Sequence, residues 1–145
     1  MSIRCFVSVL LFVSLAAFTV QTVDATRQAA PDERARTFAL EAGQDTFWQF
    51  CAPCHGMDGT GHGPVAAALT AVPADLTQTK RRYGGTFPLA RMEAMLSMAQ
   101  RIETAAHGSG QMPIWGQVFQ QIDTTPTLAR ARVANLLAYL ESIQK

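Results

Sequence analysis

Cysteine is scarce in this sequence, with three residues among 145. A surplus of one charge is missing as well: Lys and Arg total 12 against 11 Asp and Glu, a net charge of +1. Nucleic-acid binding would need a dense basic face, so that class is set aside. No apolar run is long enough for an ordinary membrane span. The longest, residues 5–20, has about 16 residues against the roughly 20 that cross a bilayer. Strand-type alternation, internal repeats and domain linkers are also lacking, which leaves an all-α chain of one domain. At 48% hydrophobic residues it is too apolar to be disordered.

The apolar run has the form of an export signal. Arg4 supplies a positive charge ahead of it, and Val23-Asp24-Ala25 places small residues where a signal peptidase reads. Residues 1–25 are therefore expected to be cleaved, with an uncleaved N-terminal anchor as the alternative. No cysteine stands at a lipoprotein cleavage position. Cys5 leaves with the signal, and the mature chain keeps Cys51 and Cys54 in an oxidising compartment, expected to be the periplasm.

Residues 26–36 are polar and Ala-rich and read as a flexible leader, leaving 37–145 as the domain. From about Thr37, Ala39, Gly43, Phe47, Phe50, Cys51 and Cys54 recur at three- and four-residue spacing and share one helix face. Residues 56–64 hold four glycines and form a loop. A short helix is expected near 64–70, a turn at 73–77, and a loop at 81–86 hinged on Gly84-Gly85. A second long helix is expected over 89–103, with Leu89, Met92, Leu96 and Ala99 inside. Residues 108–113 end it in a loop. Thr125 is an N-cap followed by Pro126 at the first helical position. The last helix then runs to about Ile143, with Ala129, Val133, Leu136, Leu137, Leu140 and Ile143 as its apolar stripe.

The chemistry lies in Cys51-Ala52-Pro53-Cys54-His55, the C-x-x-C-H pattern of covalent c-type haem attachment. Two thiols three positions apart sit on one side of a helical turn, where each can add to a haem vinyl group. The histidine directly after the second thiol can then turn its imidazole under the iron. A thioredoxin-like cysteine pair would need a βαβ context. A zinc site would need two further ligands, and the mature chain has no other cysteine. A plain disulfide would leave His55 unexplained.

With that motif, the chain resembles the class I monohaem cytochromes c. Gly43 and Phe47 precede Cys51 by eight and four positions, and Leu136-Leu137-Ala138-Tyr139-Leu140 lies near the C-terminus. The resemblance implies that the N- and C-terminal helices cross at Gly43 with Tyr139 over it, since glycine admits close approach and an aromatic ring fills the gap. It narrows to small bacterial cytochromes through Gly61-His62-Gly63-Pro64, Pro73-Ala74-Asp75-Leu76-Thr77, Gly84-Gly85-Thr86-Phe87-Pro88 and Met112-Pro113-Ile114-Trp115-Gly116. One departure is Phe47-Trp48, where relatives often carry Tyr. The implied fold is three main helices with short helical turns and loops around one covalently bound haem c.

The ligand opposite His55 is assigned to Met112, which lies in a Gly-flanked loop and in the Met-Pro context where the family places its axial methionine. Met57 is too close to His55 to reach the other haem face. Met92, Met95 and Met98 fall in a helix and read as core. His62 and His107 are the remaining rivals. The resemblance further implies that Pro64 supplies the carbonyl accepting the ring N–H of His55. Trp115 and Arg82 are candidates for the haem propionates, although Lys80-Arg81-Arg82 reads equally well as a solvated basic turn.

His/Met ligation closes both iron positions and leaves outer-sphere electron transfer as the chemistry. The expected role is a one-electron carrier, or the electron-transfer subunit of an oxidoreductase. The expected partners are redox proteins such as a dehydrogenase, oxidase or reductase, with no nucleic acid and no membrane span once the signal is cleaved. The alternative is a haem enzyme or a gas or redox sensor in which Met112 is labile.

Overall fold

The computed structural model of the protein describes residues 32–97 and 112–145. Residues 32–50 are helical (α1). They are followed by α2 (Ala52–His55), 3-10 turns at Ala66–Ala68 and Leu76–Gln78, and α3 (Thr79–Arg82). The remaining helices are α4 (Leu89–Ser97), α5 (Trp115–Ile122) and α6 (Pro126–Ser142). Among the described residues there is no strand, as an all-α chain requires. The export signal, residues 26–31, Met98, Ala99 and His107 lie outside the described residues.

Met1–Thr37 and Phe38–Lys145 form separate units. In the first, residues 32–36 are helical, which corrects the last part of the expected leader. Arg34, Ala35 and Arg36 are strong helix formers. In the second unit, the face read from spacing turns inward: Gly43, Phe47 and Cys51 are buried, and Ala39, Phe50 and Cys54 are half-buried.

The helix crossing forms at Gly43. A Cβ built there would lie 2.6 Å from the carbonyl carbon of Asn135 and 2.9 Å from Cβ of Tyr139. Only glycine lets the two backbones come this close, and the rings of Phe47 and Tyr139 close the gap beside it at 5.4 Å. The α6 stripe is buried from Ala129 to Leu140 as its periodicity implies, with Leu136 fully so and Ile143 at the cap half-buried. Thr125 caps α6, its hydroxyl accepting from the Leu128 N–H at 3.2 Å, with Pro126 in the first turn.

Several local expectations are corrected. Residues 64–70 hold only a 3-10 turn. The expected loop at 81–86 begins as the end of α3, which Gly84 and Gly85 close. Gly85 N–H bonds the Lys80 carbonyl and Gly84 N–H that of Arg81, both glycines at positive φ, the geometry of a Schellman stop rather than a hinge. Leu89 is 49% exposed, and the inner face of α4 starts a turn later at Met92 and Leu96. An additional helix, α5, packs against both α4 and α6. Trp115, Val118, Phe119 and Ile122 carry its three- and four-residue spacing. Gly116 seats it, since a Cβ there would fall 2.7 Å from Cα of Ser97.

Candidate functional site

Cys51 and the short helix after it hold the motif, and the glycine loop holds that helix. All four α2 carbonyls, which lack partners further along a helix this short, are met by loop amides. Gly56 bonds Ala52, Val65 bonds Pro53, Gly63 bonds Cys54 and Gly61 bonds His55, at 2.7–3.0 Å. Gly63 must be glycine for this: a Cβ there would meet the Ala52 oxygen at 2.6 Å. The glycines of residues 56–63 thus fold the chain back over the motif and satisfy a buried helix end.

His55 is 8% exposed. It donates its Nδ1–H to the carbonyl of Ala74 at 2.9 Å. That bond fixes the tautomer and leaves Nε2 with its lone pair free to bind a metal. Burial lowers the pKa of His55, and the Ala74 bond only partly opposes this, so the ring stays neutral. The acceptor is Ala74 and not Pro64, which corrects the expectation from the resemblance. The chain runs from Gly59 through Leu76, whose N–H bonds the Gly59 carbonyl at 2.7 Å, and this brings residue 74 over the ring.

Cys51 and Cys54 are not joined in a disulfide. Burial, with Cys54 beside it, pushes the Cys51 thiol up to about 12, so it stays protonated. Cys51, Cys54 and His55 line a cleft of about 870 Å³, part of it open to solvent. Met112, Pro113 and Trp115 line the same cleft, and the rest of its wall is mostly apolar, with Leu69, Leu76, Met92, Met95, Leu96, Leu136 and Leu140. Trp115 is held by rings, edge-on to Phe50 at 5.5 Å and stacked on Phe119 at 5.9 Å.

The expected site residues divide. Cys51, Cys54, His55, Met112 and Trp115 come together at the cleft, while Pro64 and Arg82 do not line it. Arg82 is exposed, and its guanidinium donates to the Thr79 hydroxyl at 3.3 Å. His62 is exposed and hydrogen-bonded to Thr60, away from the cleft lining. Met92 and Met95, read as core, form part of the cleft wall as well. Among the described residues no three His, Cys, Asp or Glu side chains gather as a metal-ion site.

A family model described as Cytochrome c matches residues 40–144. The chain belongs to the cytochrome c family. Comparison with curated proteins and with solved structures gave no match. Cytochromes c bind haem c covalently and serve in haem-based electron transfer. The cleft suits that group by its own chemistry. It offers two thiols on one helical turn, an imidazole with a free nitrogen, a thioether in the same cleft, and apolar walls. Sequence reasoning missed Phe119, whose ring stacks on Trp115, and the Ala74 carbonyl. Phe119 was detectable in the α5 spacing. A backbone carbonyl has no such signal.

Proposed function

We propose that this member of the family is a periplasmic, single-haem electron carrier, working freely or as the electron-transfer subunit of an oxidoreductase. The observation that carries this reading is that Cys51, Cys54 and His55 line the same apolar cleft as Met112. Cys51 and Cys54 would hold the haem by thioethers, and His55 and Met112 would take the two axial positions. The haem supplies a one-electron ferric/ferrous couple. The protein's part is to keep water away, which the apolar walls do, and to keep the imidazole oriented, which Ala74 does. Thioether sulfur favours the ferrous state and raises the potential. A redox partner meets an apolar lip at the cleft, where Val72 is 83% exposed and residues 59–74 carry no Asp, Glu, Lys or Arg. Among the described residues no helix is long and apolar enough to cross a membrane. Export would rest on residues 1–25.

Met112 is the residue to test, because Met92 and Met95 also reach the cleft. Oxidised protein should show the far-red sulfur-to-iron charge-transfer band. Met112→Ala should abolish it, lower the potential and let the reduced protein bind carbon monoxide readily. Met92→Leu and Met95→Leu should keep the band. An intact band and unchanged potential in Met112→Ala would overturn the ligand assignment. Rapid carbon monoxide binding by the unmodified protein would favour an enzyme or sensor over a carrier.

A further inference from the structure

Gln144 follows the Ile143 cap of α6, and its side-chain amide is engaged at both ends. Nε2 donates to the carbonyls of Leu76 at 2.9 Å and Leu140 at 2.6 Å. Oε1 accepts the N–H of Lys80 at 2.7 Å. Both amide hydrogens and the amide oxygen are therefore in use, on three residues of two segments far apart in sequence. The next residue adds a fourth tie, Lys145 N–H to the Thr77 carbonyl at 2.9 Å.

The segment so gripped is the one that carries the Ala74 carbonyl. Ala74 lies just before the 3-10 turn Leu76–Gln78, outside any helix that would fix its peptide plane. Its direction depends on the bonds around it. The Leu76 N–H bonds Gly59, and the Leu76 carbonyl accepts from both Gln144 and the Thr79 hydroxyl. Asp75 caps the turn through the N–H and hydroxyl of Thr77, at 2.9 and 2.6 Å. On the other side, Gly61 backs against Pro73, where a Cβ would come within 3.2 Å of the Pro73 carbonyl carbon. Gln144 thus ties the first residue of the 3-10 turn, and Lys80 just beyond it, to Leu140 of the last helix.

We propose that Gln144 is a positioning residue for His55. By holding Leu76 and Lys80, it keeps the strap in place and the Ala74 carbonyl aimed at Nδ1. This rests on the reading of His55 as an iron ligand. A strong Nδ1–H bond makes the imidazole a better donor and favours ferric iron, so a slackened strap weakens that donation and raises the potential. The coupling runs from Leu140 through the Gln144 amide to Leu76, along the backbone to Ala74, and by its carbonyl to the ring.

The test uses the holoprotein and two variants. Gln144→Met keeps the length of the side chain and loses every bond. Gln144→Glu keeps the acceptor for Lys80 and loses the donors to Leu76 and Leu140. Thr125→Ala, which frays the opposite end of α6, controls for lost stability alone. In Gln144→Met the Lys80 amide should exchange about tenfold faster, as for one hydrogen bond lost. In both variants the His55 Nδ1–H, followed by proton NMR of the reduced protein, should exchange faster and the midpoint potential should rise. Thr125→Ala should leave the potential at the wild-type value. An unmoved potential in both variants, or an equal rise in Thr125→Ala, would overturn the proposal. So would an unchanged Lys80 amide. A wild-type spectrum without histidine ligation would overturn the underlying reading together with the proposal, and it is read before any variant is made.

Discussion

On the His55 side of the cleft, backbone meets backbone. Gly61, Gly63 and Val65 close the end of α2, Leu76 bonds Gly59, and Ala74 takes the imidazole proton. On the Met112 side the described contacts are rings and apolar chains: Trp115 on Phe119, Phe50 edge-on to both, and Gly116 against Ser97. Hydrogen bonds are directional and hold a donor and acceptor in narrow geometry. Apolar packing fills volume and excludes water, with less demand on direction. The first wall is suited to fixing one ring nitrogen. The second is suited to presenting a soft sulfur in a dry space, and there three methionines share the cleft.

The strongest way to break this comparison is Phe119→Ala. Phe119 is fully buried and supports both Trp115 and Phe50, so truncation should cost about 3–5 kcal/mol in urea unfolding. On heating, the far-red band of the variant should disappear before the helical circular dichroism does. If the two melt together, as expected for the wild type, the walls are not independent.

Gly63→Val attacks the other wall. The new side chain meets backbone at Ala52 and Cys54, which cannot turn aside as a side chain could, and overpacking should cost about 1–3 kcal/mol. The amides of Gly61 and Val65 should lose exchange protection while the far-red band persists. Loss of the band with those amides still protected would show that the loop is not what holds the motif.

The smallest effect is expected at the corner between α5 and α6, where Asp123 accepts from Nε and Nη2 of Arg132 at 3.0 and 2.6 Å and Arg132 lies over the Phe119 ring. The hydrogen bonds from Arg132 hold the Asp123 carboxyl below its usual range. A carboxyl depressed on folding adds stability above its unfolded pKa and loses it as pH falls through the depressed folded value. Asp123→Asn should therefore cost less than about 1 kcal/mol at neutral pH and flatten the acid limb of the stability curve. An acid limb identical to wild type would mean that the pair contributes nothing to it.

How much of this was legible beforehand depended on the kind of group involved. The period of Gly43, Phe47 and Cys51 identified the buried face of α1, and Thr125-Pro126 identified the start of α6, because side-chain type and spacing carry those signals directly. Leu89 was misplaced because a stripe read from spacing does not say at which turn a helix begins to meet its neighbours. The eight residues of α5 were passed over although Trp115, Val118, Phe119 and Ile122 hold a helical period, since a helix that short gives only two turns of pattern.

The pentapeptide at 51–55 determined by itself which thiols and which imidazole form the site, because that chemistry needs those side chains at that spacing. The tertiary structure alone decided that Ala74, and not Pro64, receives the His55 proton. It also decided that Gln144 reaches Leu76 and Lys80, 68 and 64 positions away. Every residue carries the same carbonyl, so nothing in the sequence marks the one that faces the ring. That follows from the path of the chain, which the glycine loop and the helix crossing at Gly43 set together.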